Sequence, residues 1–303
     1  MPDIPSVLTL SDLERWSFDG TPLAVLGQPI KHSISPVLHN AALAEMARSD
    51  AQFASWKYFR FEVPPADLPH ALRLLHAKKF RGINLTVPHK ILAMEHLAGI
   101  DPGASAVGAV NTLVWTERGW CGHNTDGHGL AQGLQEDLRC DLTESHVILL
   151  GSGGAARGAA VECLQRRCAT LAIGNRTPEN LQSLLSFLAP LAGTIPLRGF
   201  SPTAPPSDLP THAVVINATS AGLRETDMSP IDLMKIPRPA CVYDMIYNPP
   251  RTALLRTAAQ LGVPGANGLS MLVHQGAKAL EIWSNARVPV PSMRAAAAAA
   301  LPR

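Results

Sequence analysis

The chain has 303 residues, of which 46% are hydrophobic and 17% are charged, and its formal net charge is +2. This length predicts about two domains, and this composition excludes a disordered chain. The near-balanced charge gives no electrostatic basis for binding nucleic acid or a membrane surface, and no apolar run is long enough to span a bilayer.

The five cysteines and eleven histidines show no spacing typical of metal ligands. No C-x-x-C pair is present, and the gap between Cys163 and Cys168 fits no common zinc pattern. We therefore predict no metal site, reduced thiols and a cytoplasmic protein.

The first part of the chain alternates predicted strands and helices. Ser35 precedes Pro36, which predicts a helix N-cap followed by a first-turn proline. The alternation predicts a mainly parallel sheet with helices on its faces. Strands are expected at 23–26, 53–63, 82–87 and 109–115, and helices at 36–48, 67–78 and directly after Pro88.

A second α/β run begins near residue 126. An amphipathic helix over 269–283 follows it, and the alanine tract Ala295–Ala300 predicts a frayed helical end. The expected elements of this run are a helix at 126–138 and strands at 147–150, 171–173, 214–217 and 242–245.

A glycine-rich turn links the strand at 147–150 to a helix. Gly151, Gly153 and Ala156 fit the pattern G-x-G-x-x-A. The first glycine permits the tight turn, the second permits a pyrophosphate to approach the backbone, and the small third residue permits close packing of helix on strand. The N–H groups at the helix start would then face the phosphates. The pattern predicts a dinucleotide site.

The end of the next strand indicates which dinucleotide binds. An NAD site places Asp or Glu there for the ribose 2′-hydroxyl, but this chain has Asn175, Arg176 and Thr177. A carboxylate would repel a 2′-phosphate, whereas a guanidinium pairs with it and a threonine adds a donor. The sequence therefore favours NADP.

Four polar clusters follow predicted strands in the first half, and ligands of open α/β sheets bind at strand ends. They contain hydroxyls, amides, one ammonium and one carboxylate, a set suited to a small polyhydroxylated ligand. The clusters lie at 32–35, 84–90, 111–112 and 124–126.

Nine segments in chain order make the sequence resemble the shikimate dehydrogenase family. The resemblance runs from about Leu23 to Trp283. The segments are GQPIKHSISPVLHN (27–40), NLTVPHK (84–90), GAVNTL (108–113), NTDG (124–127), GSGGAA (151–156), NRT (175–177), NATSAG (217–222), YDMIYNP (243–249) and NGLSMLVHQ (267–275).

The resemblance implies an α/β fold of two domains around a cleft. A substrate-binding domain would comprise residues 1–125 and 268–303, and a Rossmann-like NADP-binding domain residues 126–267. It implies reversible reduction of 3-dehydroshikimate to shikimate with NADPH, in aromatic amino acid biosynthesis. The only partner expected is this small-molecule substrate, and the protein is expected to be a monomer or homodimer.

The resemblance also implies residue roles. Lys90 and Asp126 would form the catalytic pair. Substrate would be bound by Ser33, Ser35 and Tyr247 at its carboxylate and by Asn84, Thr86, Asn111, Asp126 and Gln275 at its ring oxygens. The cofactor would be bound by Gly151, Gly153, Gly154, Ala155, Ala156, Asn175, Arg176, Thr177, Thr219, Met245, Gly268 and Met271.

These roles are chemically coherent. A ketone that accepts hydride develops negative charge on its oxygen, which the Lys90 ammonium would stabilise and protonate. Asp126 would hold that ammonium in place. No arginine stands at a position matched to the substrate carboxylate, which predicts a site made of hydroxyl donors.

One position departs from the family pattern. Asn180 stands where many NADP-specific members carry a second basic residue, so the contact to the 2′-phosphate would depend on Arg176 alone. Two alternatives remain: an NAD(P)-dependent quinate/shikimate dehydrogenase, against which Arg176 argues, and a non-catalytic NADP-binding sensor, against which Lys90 and Asp126 argue.

Overall fold

The computed structural model describes residues 6–224 and 226–301, which form two compact α/β units. The first unit comprises the chain up to Thr125 together with the chain from Val273 onward, and the second is Asp126–Leu272. Each unit contains one six-stranded sheet. The predicted fold class, two α/β domains, is confirmed.

The first unit takes most of its elements from the N-terminal part of the chain. Its strands are β1 (Thr21–Gly27), β2 (Trp56–Glu62), β3 (Gly82–Leu85), β4 (Gly99–Ile100), β5 (Thr112–Thr116) and β6 (Gly119–His123). Its helices are α1 (Leu10–Glu14), α2 (Ser35–Ser49), α3 (Leu68–Ala77), α4 (His89–Leu92) and α5 (Pro102–Val107), with short 3-10 turns at Ala51–Ser55, Pro65–Asp67 and Ala93–His96.

The sheet of the first unit is mixed, in the order β2-β1-β3-β5-β6-β4. Strand β1 is parallel to β2 and β3, whereas β5 is antiparallel to β3 and β6. Strand β6 was not predicted. The connection after Thr116 is too short for a helical crossover, so β5 and β6 form a hairpin and break the parallel pattern.

The second unit is continuous in sequence. Its strands are β7 (His146–Leu150), β8 (Thr170–Gly174), β9 (Leu197–Phe200), β10 (Val214–Asn217), β11 (Cys241–Asp244) and β12 (Gly265–Asn267). Its helices are α6 (Asp126–Leu138), α7 (Gly154–Gln165), α8 (Pro178–Ala192) and α9 (Ala253–Gln260), with a 3-10 turn at Leu233–Lys235.

All six strands of the second unit are parallel, in the order β12-β11-β10-β7-β8-β9. Strand β7 lies in the interior of this sheet, and Val147–Leu150 are buried. A continuous apolar run is what a strand covered on both faces requires. In the described part of the chain, no helix has both the length and the apolar character needed to cross a bilayer.

Two C-terminal helices return to the first unit, α10 (Leu269–Ser284) and α11 (Val290–Ala300). Helix α10 crosses the boundary between the units at Leu272. The Trp283 indole N–H donates to the Leu113 carbonyl at 2.9 Å, and the ring occupies the space that a Cβ at Gly82 would need. Tryptophan is thereby buried with its one polar group bonded.

The alanine tract is not frayed. Helix α11 packs against α2, with Met293 and Ala297 buried. Small side chains permit this close helix approach, and helix packing stabilises a segment that its sequence alone leaves marginal.

Candidate functional site

Ser33 and Ser35 lie together at the start of α2. The Ser33 hydroxyl donates to Ser35 Oγ at 3.2 Å, and the backbone N–H of Ser35 donates to Ser33 Oγ at 3.4 Å. Ser35 is the first helical residue and Ile34 is the N-cap, so the predicted N-cap role of Ser35 is wrong. The hydroxyl that serves the helix start is that of Ser33, two residues earlier. Both hydroxyls adjoin the positive end of the helix dipole.

Asn84 is buried at the end of β3 and its carboxamide is fixed by three hydrogen bonds. Its Nδ2 donates to the Asn111 carbonyl at 3.0 Å and to Thr112 Oγ1 at 3.1 Å. Its Oδ1 accepts from the Tyr58 hydroxyl at 2.7 Å. Both amide hydrogens are therefore used within the protein, and only an acceptor lone pair is left for a ligand.

Asn111 connects three elements of the first unit. Its Oδ1 accepts from the Thr125 backbone N–H at 2.8 Å, and its Nδ2 donates to Thr125 Oγ1 at 3.0 Å. The same Nδ2 lies 3.3 Å from Gln275 Oε1 on α10. Three of the predicted substrate residues, Asn84, Asn111 and Gln275, are thus brought into one hydrogen-bonded network.

Lys90 lies on the short helix α4, directly after β3. Thr86 accepts from the His89 N–H through its carbonyl at 2.8 Å, which turns the chain. The Lys90 carbonyl accepts from Val110 N at 2.9 Å, which ties this turn to the segment before Asn111. The ammonium is therefore carried by a short, backbone-anchored turn beside the polar network, and Lys90 itself is half-buried.

Asp126 and Tyr247 belong to the second unit. Asp126 is the buried first residue of α6 and lies at the positive end of that helix's dipole. It follows Thr125 directly in the chain. Tyr247 is half-buried, and burial raises the pKa of its hydroxyl above the ordinary value of 10. That hydroxyl is therefore a protonated donor at neutral pH.

The glycine turn has the predicted conformation. Gly151 has φ of +113°, which side-chain-bearing residues rarely adopt, and its N–H donates to the Gly174 carbonyl at 2.8 Å. Gly153 is the N-cap of α7, with no side chain to satisfy the first N–H groups. A Cβ at Gly153 or Gly154 would meet nothing within 4 Å, whereas Ala156 is buried. The turn leaves open space in front of the helix N-terminus, as a bound phosphate requires.

The residues after β8 lie at the surface. Asn175 Nδ2 donates to the Thr177 carbonyl at 2.9 Å, which shapes the turn, and Thr177 is the N-cap of α8. Arg176 is exposed, and its guanidinium forms no hydrogen bond or ion pair with any residue that the structure describes. Asn180, in the first turn of α8, is also exposed.

Behind the glycine turn, a buried polar network positions Thr219. Asn217 Oδ1 accepts from the Thr219 hydroxyl at 2.7 Å, and Asn217 Nδ2 donates to Asp244 Oδ1 at 2.9 Å. Asp244 also accepts from Thr252 Oγ1 at 2.6 Å. Burial raises the pKa of the Asp244 carboxyl. No role was predicted for Asn217, Asp244 or Thr252, although Asn217 and Asp244 lie in segments that resemble the family.

Gly268 brings the start of α10 against the residue that follows β11. A Cβ at this position would overlap the main chain of Met245. Met271, one turn into the helix, donates its N–H to the Tyr243 hydroxyl at 3.2 Å. Gly268, Met245 and Met271 therefore lie in one small region of the second unit.

Two side chains of β2, which were not predicted, contact predicted substrate residues or the segment that carries them. Tyr58 donates to Asn84, and Arg60 donates to the carbonyls of Lys31 and Ser33 at 2.6 Å and 2.9 Å. They stand two residues apart on one face of the strand. Only strand register, which a single sequence does not reveal, brings them to these partners.

No metal centre is built in the described residues, where no three His, Cys, Asp or Glu side chains are grouped as ligands. The five cysteines are free thiols.

Known proteins match this chain along nearly its whole length. Residues 25–113 match the shikimate dehydrogenase substrate binding domain, and residues 268–298 match the shikimate 5'-dehydrogenase C-terminal domain. The shikimate dehydrogenase (NADP(+)) of Magnetococcus marinus is 39% identical over 269 residues, which are 88% of this chain and 92% of that protein.

Solved structures of related proteins have the same fold as this chain. The shikimate 5-dehydrogenase of Thermus thermophilus, in complex with NADP(H) and shikimate, superposes with a TM-score of 0.81 at 31% identity, covering 93% of this chain and 100% of that one. A ligand-free 5-ketofructose reductase of Gluconobacter gives a TM-score of 0.81 at 27% identity, covering 93% and 99%. With 39% identity to the Magnetococcus marinus relative over 88% of this chain, the chain belongs to the shikimate dehydrogenase family.

Proposed function

We propose that this protein is an NADP-dependent shikimate dehydrogenase that interconverts 3-dehydroshikimate and shikimate. The observation that carries the proposal is the buried network of Asn84, Asn111 and Gln275, which ends on the loop before Asp126 and adjoins the Lys90 turn. Such a set of amides suits a polyhydroxylated ring. The relative from Magnetococcus marinus carries this activity in its name, which supports the assignment.

In this proposal the first unit binds the substrate and the second unit binds the cofactor. Ser33 and Ser35 would donate to the substrate carboxylate, together with the Tyr247 hydroxyl. Thr86, Asn111 and Gln275 would bind ring oxygens. Asn84, whose two amide hydrogens are already bonded, would act only as an acceptor for a substrate hydroxyl.

The residues present fit NADP. The open glycine turn accepts a pyrophosphate at the α7 N-terminus, and the exposed Arg176 is free to pair with a 2′-phosphate. Thr219, Met245, Gly268 and Met271 would line the nicotinamide side. When bound, NADPH supplies a hydride to the substrate carbon.

Lys90 performs the proton chemistry in this scheme. Its ammonium would donate a hydrogen bond to the ketone oxygen, stabilise the alkoxide as negative charge develops there, and deliver the proton. The Asp126 carboxylate would orient that ammonium. In the reverse direction, neutral Lys90 would accept the shikimate hydroxyl proton.

The wider setting is also part of the proposal. The free thiols are consistent with a reducing, cytoplasmic compartment. We propose a small-molecule substrate as the only partner and a monomer or homodimer, which sedimentation equilibrium would distinguish.

A cofactor and substrate matrix tests the function. Absorbance at 340 nm would be followed with shikimate, quinate or the reduced form of 5-ketofructose, each with NADP or NAD. We expect the highest kcat/KM for shikimate with NADP. A higher value for quinate with NAD would favour the quinate/shikimate alternative, and the absence of turnover with saturable NADP binding would favour a sensor.

A further inference from the structure

Strand β2 carries a buried arginine that the proposed function does not use. The Arg60 side chain lies opposite Val25 of β1 and is 4% exposed. Arginine is almost never this buried unless its guanidinium is paired. Its Nη1 donates to the main-chain carbonyls of Lys31 and Ser33 at 2.6 Å and 2.9 Å. One guanidinium therefore fixes the segment that leads into α2.

The guanidinium brings positive charge close to the paired serines. Burial lowers the pKa of Arg60 from its ordinary value, yet arginine stays charged at any physiological pH. The Lys31 and Ser33 carbonyls are acceptors in the segment before α2, so these two bonds orient the guanidinium towards that segment. Because the Ser33 carbonyl and hydroxyl belong to one residue, the charge lies within about 7 Å of Ser33 Oγ by covalent geometry.

We propose that Arg60 is a positioning residue for the substrate carboxylate, acting through the Ser33 segment and through its buried charge. The proposal rests on the proposed function, which assigns the carboxylate to Ser33 and Ser35. It explains how an anion is held where no arginine stands at a matched position. The hydroxyls make the contacts, and the charge behind them lowers the cost of desolvating the anion.

The decisive comparison uses shikimate and its neutral methyl ester. We expect Arg60→Met to raise KM for shikimate about 4- to 15-fold, the effect of one charge about 10 Å from the carboxylate, one hydrogen bond beyond Ser33 Oγ, at an effective dielectric of about 20–40. Because the ester lacks the charge, its KM should change little, and kcat should change little for both. Arg60→Lys retains a charge and should recover most of the affinity for the acid.

A second measurement uses the conservative variant alone. Burial lowers a lysine pKa, so in Arg60→Lys the KM for shikimate should rise between about pH 7 and pH 9.5 as the introduced amine loses its proton. The KM for the ester should stay constant over that range. Because this measurement uses only Arg60→Lys, it tests the proposal even if Arg60→Met does not fold.

Arg81→Met is the matched control, since Arg81 also donates to a main-chain carbonyl of the first unit, that of Trp283 at 3.0 Å. Arg81→Met should leave the ratio of the KM for shikimate to the KM for its methyl ester unchanged. Equal losses on acid and ester in Arg60→Met, with no recovery in Arg60→Lys, would overturn the proposal. A wild-type protein that does not distinguish acid from ester would instead count against the proposed carboxylate subsite.

Discussion

The two proposed ligand subsites of this chain differ in how far their side chains are already bonded within the protein. The amides of the first unit are already bonded: Asn84 uses both amide hydrogens, and Asn111 is held between Thr125 and Gln275. In the second unit, Gly153 and Gly154 face open space and Arg176 is exposed. The first subsite is a rigid buried frame, and the second is an accessible surface.

This difference has an energetic consequence. A preformed frame loses little conformational entropy when it binds, whereas a long exposed arginine must be ordered by its ligand. Changes in the frame should therefore alter substrate affinity and stability together. Changes at Arg176 should alter cofactor affinity alone.

The largest effect is expected at the reacting group of the first unit. Lys90→Ala removes the proposed proton donor and should lower kcat by roughly 10²–10⁴-fold, the range for a positioned acid–base group. Steady-state assays with saturating shikimate and NADP measure it. Lys57→Ala, an exposed lysine of the same unit, is the control. Turnover of Lys90→Ala within about threefold of wild type would remove Lys90 from the mechanism.

The proposed contact between Arg176 and the cofactor 2′-phosphate can be tested by substitution. Arg176→Ala removes one charge-assisted contact to the 2′-phosphate, worth about 1.5–3 kcal/mol, so KM for NADP should rise about 10- to 100-fold. The KM for NAD and the melting temperature should not change. Arg256→Ala, whose guanidinium donates to the Arg251 carbonyl of its own segment, should leave both constants as they are. A parallel increase for NAD would argue against a 2′-phosphate contact.

The buried imidazole of His39 should make the free energy of unfolding depend on pH. It is fully buried, stacks on Tyr58 with ring centroids 4.1 Å apart, and has no hydrogen-bond partner on either ring nitrogen among the described residues. Burial lowers its pKa from 6.5 to about 3. Below pH 6.5 the unfolded chain binds a proton that the folded chain does not, so stability falls as pH falls towards 3.

The free energy of unfolding should fall by about 1.4 kcal/mol for each pH unit below 6.5, which amounts to about 2 kcal/mol at pH 5. Urea unfolding between about pH 4.5 and pH 7 measures it, and His39→Phe, which keeps an aromatic ring in the stack, should flatten the slope by one proton. If the unfolding free energy of His39→Phe had the same pH slope as that of the wild type, His39 would not be the buried neutral group that causes the slope.

The smallest effect is expected at Tyr58. Tyr58→Phe deletes one hydrogen bond to Asn84 but keeps the ring and the two bonds between the Tyr58 main chain and Asn40. A net loss of about 0.5–1.5 kcal/mol should raise KM for shikimate about 2- to 13-fold with kcat preserved. The increase should vanish in an Asn84→Ala background. Persistence there would show that Tyr58 does not act through Asn84.

Local patterns predicted much of this molecule. The strand, glycine turn and helix at 147–165 depend on neighbouring residues, and the structure reproduces them. Helices α2, α3, α6 and α10 begin and end within about two residues of their predicted bounds, as periodicity permits. Ser35 was misassigned because helix starts shift by one residue without changing the pattern.

Pairing between residues far apart in the chain could not be predicted from the sequence. The β5–β6 hairpin contradicts the β/α alternation, and nothing local marks Tyr58 or Arg60 as partners of residues 26 to 29 positions away. Their roles follow from the register of β1, β2 and β3. The same limit hid Asp244, whose partners Asn217 and Thr252 lie on other elements.

The return of α10 sets an order of assembly. During synthesis the ribosome completes the second unit, Asp126–Leu272, before it makes Trp283. Until then the first unit lacks the side chain that lies over Gly82 and bonds Leu113. The N-terminal unit therefore emerges first but completes its core last, and until then the space over Gly82 lacks the indole that fills it.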